Sequence, residues 1–425
     1  MARLKLFSSK KIRRYIRSLD QKRKRRIMAD AADRPRPAHD GAPVDLVITT
    51  NEISYAHGTG VQMSRLFEGR RDVIAIRSQS YYGGAQRIDA VEELELPREV
   101  CSNSEIAEIM KLWLRPYHVR SILSPIFLES DIVMALAAKQ LTGAPLGLWV
   151  MDDNCLQKRG VGRRLMARAL AQADARFAIS REMKDLYERA FGHPFAIAPP
   201  LVAPALLRQE PSAPAPSGDL LMIGNVWSVR ILDRLSQTVE AAGLKVDWRA
   251  PNPDLWGKIL SADTLEQRGV RVGPEADPAA LNGLTTAAAA ILVPSDSGAF
   301  GKTESAIGDL SLPSRMPFIL ATSGTPMIVL GRPDTAAARF VRRYGVGEVS
   351  PYEPDALAEA VRRVSALEAQ AEIRARAARL ASRFSFDGAY GFIFSTIAAG
   401  GAPPDDRFET LFPPLSEDGP FRSTS

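Results

Sequence analysis

The sequence predicts an α/β protein, two parallel-sheet halves facing each other across a cleft. Three observations carry this. From about Ala42 onward, β-branched apolar runs alternate with longer helical patterns. The alternation breaks at a Pro/Ala/Ser-rich stretch, APALLRQEPSAPAPSG (203–218), and then restarts. The strand-like runs are apolar throughout, as strands buried on both faces by flanking helices must be.

The bulk numbers agree with that class. A chain of 425 residues, 45% hydrophobic and 24% charged, is an ordinary globular protein of about two to three domains. No apolar run approaches the roughly 20 residues of a membrane-spanning helix. The basic N-terminus has no continuous apolar core behind it, so no secretory signal is expected. Two cysteines, Cys101 and Cys155, make neither a disulfide framework nor a zinc site, and a reduced cytoplasm is the expected location. The net charge of +6 divides unevenly, because residues 1–30 hold twelve Lys/Arg and two Asp. The remaining chain carries 43 basic and 47 acidic residues, a mildly acidic body that argues against a nucleic-acid-binding core.

The elements follow in order. The tail KKIRRYIRSLDQKRKRR (10–26) sets Ile12, Tyr15, Ile16 and Leu19 at helical spacing opposite Arg and Lys. It reads as an interfacial helix drawn to anionic lipid at the inner face of a membrane; a solubilising arm and a nucleic-acid-binding arm fit the same composition. Strands are predicted at 45–51, 72–78, 120–126, 147–153, 175–180 and 195–200, with helices at 104–114, 129–141, 163–173 and 181–191. After the linker, strands are predicted at 219–225, 245–250, 271–275, 288–295, 325–331 and 345–350. Helices fit at 230–242, 278–287, 314–323, 334–344 and 354–383, and the Gly/Pro-rich tail after Ala398 reads as loose.

Four motifs carry candidate chemistry. HGTG (57–60) follows the first strand and opens a helix. Its glycines let backbone pass close to a ligand, and helix-start N–H groups favour anions. His57 could donate to a hydroxyl or phosphate or take up a proton, and an exposed histidine on a tight turn fits equally. VMDDN (150–154) ends an apolar strand with two carboxylates whose side chains point to opposite faces. Asp153 is favoured for the cleft, and no metal is expected, since only Asp152 and Asn154 share a side. SDSGAFGKTES (295–305) imitates a phosphate-binding loop but has Asp296 where the first glycine belongs, so an NTPase is not expected. In LPSRMPFILATSGTPMIVLG (312–331), Pro-Ser-Arg opens a helix from which Arg315 could grip two phosphate oxygens; a surface arginine on a plain helix fits as well.

Taken together, these pieces resemble the GT-B glycosyltransferases, particularly the family-4 type of retaining enzymes. ADARFAISREMKDLYERAFG (173–192), IAPPLV (197–202), DLLMIGNVWSVRILDRL (219–235) and PSRMPFILATSGTPMIV (313–329) are similar to segments of that group, and the likeness covers about residues 44–397. It implies two Rossmann-like domains: an acceptor domain at 42–205 and a nucleotide-sugar domain at 219–384. Around them lie a basic extension at 1–41, a linker at 206–218, a helix at 385–398 returning to the first domain, and a flexible tail at 399–425. Carried over by position, His57 lies near the transferring sugar and Gly58 and Gly60 near the donor diphosphate. Arg230 and Arg315 neutralise the leaving group with Ser314 assisting. Members of this type generally need no bound metal. One departure stands out. The family's Glu-x7-Glu pair falls here on Ser311 and Ile319, leaving Glu304 and Asp309 as the nearby acids.

The expected function is transfer of a sugar from a nucleotide-sugar to a hydroxyl of a glycan or lipid-linked acceptor, in cell-envelope or exopolysaccharide synthesis, with no cofactor beyond the co-substrate. The alternatives are an inactive module of the same fold serving as a scaffold, and a nucleotide-sugar epimerase.

Overall fold

The computed structural model describes residues 41–81, 87–96, 102–156, 160–215, 219–226, 228–250, 260–274, 276–295 and 308–414, with isolated positions at 21–22, 25–26, 29 and 253. The interfacial helix expected at 10–26 therefore lies almost wholly outside the described residues, as do Cys101, Glu304 and the glycine-lysine stretch around it.

Among the described residues the strands form two sheets. The first runs β1 (Val44–Thr49), β2 (Val73–Arg77), β3 (Glu92–Glu95), β4 (Val119–Ile126), β5 (Leu146–Val150), β6 (Ala175–Ala178) and β7 (Ala196–Ile197) in chain order. In space the order is β3-β2-β1-β4-β5-β6-β7, and every pairing is parallel. The helices between them are α1 (Gly58–Leu66), α2 (Asn103–Leu114), α3 (Glu129–Thr142), α4 (Arg163–Gln172) and α5 (Arg181–Phe191). The second half repeats the plan. Strands β8 (Leu220–Ile223), β9 (Val246–Ala250), β10 (Val270–Pro274), β11 (Ala290–Pro294), β12 (Met327–Leu330) and β13 (Gly347–Ser350) take the order β10-β9-β8-β11-β12-β13. Its helices include α6 (Val229–Ala241), α7 (Ala262–Gln267), α8 (Pro278–Ala287), α9 (Arg315–Thr322), α10 (Ala336–Tyr344), α11 (Pro354–Ser365) and α12 (Leu367–Ala381). This is the doubly wound order in which the strand sequence reverses beside the first strand of each sheet, the place where such sheets open to ligands.

Burial explains the apolar runs. All six residues of β1 are buried, including Asp45, because helices cover both faces. That carboxylate accepts from Arg120 Nε (3.0 Å) and Nη2 (2.5 Å) and from Ser121 Oγ (2.5 Å), so the buried charge is compensated. Tyr390 OH also donates to it, from helix α13 (Ala389–Ala398), which lies against the first sheet. A Cβ on Gly147 of β5 would come within 2.7 Å of Ile397 Cγ1, so the missing side chain is what seats α13.

The two halves are joined by two chain crossings lying side by side. Val202 N donates to Phe384 O and Phe386 N to Val202 O, a short parallel bridge. The expected linker is tied down. Ser212 Oγ donates to Ser323 O (2.6 Å), Ala215 exchanges bonds with Gln370, and the buried Arg374 donates to Ser212 Oγ (2.6 Å), Thr286 O and Ala288 O. Desolvation lowers the Arg374 pKa to about 10, still charged at neutral pH.

Three sequence expectations need correction. Strand β3 went unread because EELE is a half-buried acidic edge with no apolar run. The single helix expected over 354–383 is two helices, broken where Ala366 takes an extended ψ of 135°. The tail after Ala398 is folded in its described part, residues 399–414. Helix α14 (Arg407–Leu411) buries Phe408 and Leu411, Phe412 follows them, and Glu409 accepts from Lys184 Nζ at 2.9 Å. Gly400 and Gly401 take positive φ to make that turn possible. Among the described residues no helix is long and apolar enough to cross a membrane.

Candidate functional site

A cavity of about 530 Å³ lies between the halves, walled by the carboxyl ends of strands from both sheets. From the first half come the loop and helix start after β1 (Tyr55–Thr59), the outward face of α1, and Met151, Asp152 and Ile179 after β5 and β6. From the second come Ile223–Asn225 after β8, Ala276–Pro278 before α8, and Ser311–Arg315 leading into α9.

The first wall is built around His57, the N-cap of α1. Gly60 N–H donates to Nδ1 (3.1 Å), so the ring proton sits on Nε2, which donates to the Glu52 carbonyl at 2.8 Å. Burial holds the imidazole below its ordinary pKa, against the opposing pull of the Glu52 carbonyl and charge. The ring is therefore a neutral clamp on the turn. Gly58 and Thr59 follow, and their N–H groups belong to the helix start that has no intrahelical acceptor. Gly58 lines the cavity so closely that a Cβ would stand 3.0 Å from Ser314 Oγ of the other half. Gly60 does not line it. A Cβ there would run into the Ser54 carbonyl oxygen and lie 2.8 Å from Ser54 N, so this glycine lets the turn close on itself.

The second wall meets it. Helix α9 begins at Ser314, whose side chain makes no capping bond, and its first turn, like that of α1, holds no acidic residue. Two helix N-termini, one from each half, thus face a common space, and partial positive charge accumulates there. Arg315 lines the space, yet its Nη1 donates to Ile223 O (2.5 Å) and Asn225 O (2.9 Å). It locks the turn after β8, where Gly224 has φ +78° and a Cβ would lie 3.3 Å from that nitrogen.

Two further expected residues sit elsewhere. Arg230 is exposed on α6 and lines no part of the cavity. Asp153 is buried, and its Oδ1 accepts from Cys155 N (3.1 Å), Leu156 N (2.9 Å) and Tyr187 OH (2.8 Å). The preference for Asp153 as the cleft carboxylate is thus corrected. Asp152 lines the cavity and accepts from Ser311 Oγ of the second half at 3.2 Å. Among the described residues no group of three His, Cys, Asp or Glu side chains is arranged to hold a metal ion.

The residue that sequence reasoning missed is Arg65. It projects from α1 into the cavity, donates from Nη1 to Leu201 O (2.7 Å) and lies 5.9 Å from the Phe318 ring of the second half. It has no ion-pair partner among the described residues, and desolvation lowers its pKa only to about 10, so it remains a cation. Gln62 grips the same Leu201 peptide, accepting from its N–H at 2.9 Å. The available signal was spacing: Gly58, Gln62 and Arg65 share one face of a helix whose other face is apolar. A polar stripe pointing away from the core of a strand-following helix marks a cleft.

Comparison with known proteins places this geometry. No protein-family model matches the sequence, and no curated protein matches it. Solved structures do match in fold. HepE of Anabaena, crystallised with UDP and glucose, is 14% identical with a TM-score of 0.59 over 84% of this chain and 100% of its own. A UDP-N-acetylglucosamine 2-epimerase is 12% identical with a TM-score of 0.53, over 85% of this chain and 98% of its own. The UDP-GlcNAc 2-epimerase of Neisseria meningitidis, bound to UDP-GlcNAc, is 15% identical with a TM-score of 0.50, over 84% of this chain and 100% of its own. With the strand orders above, these likenesses fix the architecture as two Rossmann-like domains of the GT-B type.

Proposed function

We propose that the chain is a nucleotide-sugar-dependent glycosyltransferase, of the family-4 type its sequence resembles, with the donor diphosphate held between the N-termini of α1 and α9. The observation that carries this is Arg65, a cation without an ion-pair partner among the described residues, aimed into a cavity that two helix starts already make positive. A diphosphate supplies the missing counter-charge. In the transfer, the bond from the sugar's anomeric carbon to the diphosphate oxygen breaks, one from that carbon to an acceptor oxygen forms, and the proton of the acceptor hydroxyl passes to the departing diphosphate. Negative charge then grows on the departing diphosphate, where Arg65 and the N–H groups of Gly58 and Thr59 stabilise it. Ser314 faces Gly58 across the gap and adds a hydroxyl donor. Asp152 is the carboxylate at the wall and orients the acceptor hydroxyl. His57 and Arg315 act indirectly, by fixing the turns that present those groups.

The acceptor belongs to the class of glycan or lipid-linked hydroxyls of cell-envelope or exopolysaccharide assembly. The basic residues 1–30 support a place at the inner membrane surface. The neighbours bound to UDP, UDP-glucose and UDP-GlcNAc make those three the first probes. Calorimetry should register a UDP-sugar, and Arg65→Gln should weaken it about 10- to 100-fold, the range expected for losing a charge-assisted hydrogen bond. Acceptor-dependent release of UDP supports transfer. Isomerised donor without acceptor would establish the epimerase instead, and binding with no turnover of any kind an inactive module. No binding of any nucleotide-sugar would remove the proposal.

A further inference from the structure

A second concave site lies away from the cleft, on the face of the second half formed by α10, α12 and the chain around α14. It encloses about 390 Å³ and is lined by Arg343, Arg376, Arg379 and Arg383, with Leu380 and Leu411 among the apolar groups between them. Four guanidinium groups share this hollow, and none forms an ion pair among the described residues. Of the nearby acids, Glu409 pairs with Lys184 (2.9 Å) and Arg181 (3.4 Å), and Glu182 pairs with Arg339 (3.6 Å) while its charge also attracts Arg343.

Ordinary helix chemistry accounts for part of this. Basic residues suit the last turns of α10 and α12, and Arg376 Nη1 donates to the Gly345 carbonyl at 2.6 Å. Arg343 lies 5.9 Å from the Phe412 ring. Arg379 shares that helix-end role, but its side chain, like that of Arg383, is exposed and makes no hydrogen bond with the rest of the described chain. Four like charges gathered in one hollow repel one another unless an anion joins them. Arginine rather than lysine throughout favours an anion with several oxygens in fixed geometry, which the planar fork matches in pairs.

We propose that this hollow is a second anion site, taking a phosphate monoester or diphosphate group. The group's source is either a soluble phosphorylated molecule or the headgroup of an anionic lipid. The test uses the full chain, the variant Arg379→Gln/Arg383→Gln and the cleft variant Arg65→Gln. Both arginines of the double variant are exposed and make no internal bond, so its fold is not at risk. Titrated with inorganic pyrophosphate, the parent should show a site that the double variant weakens about tenfold or more and Arg65→Gln leaves alone. Replacing both arginines by lysine should recover only part of that loss, since the charge returns without the fork. Co-sedimentation with phosphatidylcholine vesicles, with and without phosphatidylglycerol, separates the sources. If the double variant loses pyrophosphate but keeps vesicle binding, the ligand is soluble; if it loses vesicle binding as well, the headgroup is the ligand. Pyrophosphate and vesicle binding both unchanged in the double variant would overturn the proposal.

Discussion

The two halves solve one problem in two ways. Each must open its sheet beside its first strand and hold the turn there rigid enough to present backbone to a ligand. In the first half the turn after β1 is closed from within: His57 caps its own helix and ties back to Glu52, and Gly60 admits the Ser54 backbone beneath it. In the second half the turn after β8 is closed from outside, by Arg315 reaching over from α9 to two carbonyls. The difference teaches where to look for the ligand's own contacts. In both halves the side chain with the most evident chemistry holds backbone, and the group that faces the ligand is less conspicuous.

The largest effect should come from breaking the external clamp. Arg315→Ala removes two hydrogen bonds from a charged donor and strands the Ile223 and Asn225 carbonyls, a loss of about 2–4 kcal/mol of stability. A lowered urea midpoint, with donor binding weakened alongside, is the expected result. Arg65→Gln gives up only one such bond, to Leu201 O, and should cost less than Arg315→Ala, about 1.5–2 kcal/mol, while losing donor affinity. If the two variants lose stability equally, the division between clamp and ligand contact fails.

The adjacent carboxylates sharpen the same point. Asp153→Asn replaces an acceptor of three bonds on a buried oxygen and should cost about 1–3 kcal/mol, read by thermal unfolding. Asp152→Asn weakens the contact to Ser311 across the cleft and should move the midpoint less than Asp153→Asn does, while turnover falls. Gly60→Ala and Gly58→Ala make a third pair. Overpacking beneath the turn should cost about 1–3 kcal/mol at position 60. At position 58 the new methyl meets only a serine hydroxyl of the other half, so the Michaelis constant should change more than the unfolding midpoint.

These pairs also show how far the sequence could be read. The alternating apolar runs announced both sheets, because a strand buried on two faces cannot disguise its composition. The cleft followed from topology, and His57, Gly58, Ser314 and Arg315 do line it. What the residues do there was not legible. A strand's period of two, carried on to Asp152 and Asp153, turns them to opposite faces. But β5 ends at Val150 and both lie in the loop beyond it, where Tyr187 offering its hydroxyl from α5 decides that Asp153 is the inward one. Arg315 looked like a phosphate grip because nothing local shows that Gly224, far away in sequence, brings two carbonyls under it. Arg65 was not singled out, because its exposure to the cavity is set by Phe318 and Leu201, distant in sequence.

The smallest predicted effect concerns protons. Burial keeps the His57 pKa below its ordinary value, so the unfolded chain takes up this proton at a higher pH than the native protein does. Below the unfolded value of about 6.5 the unfolded state then binds more protons, and stability falls as the pH drops through that region. Above it the group contributes no slope. His57→Asn retains a side chain suited to capping α1 but has nothing to titrate. Urea unfolding followed from roughly pH 7 down to 5.5 should therefore show a shallower decline in the variant than in the parent. An identical slope in both would mean that the ring takes up its proton as readily in the native state as in the unfolded chain, and that the internal clamp on the first turn does not depend on a neutral imidazole.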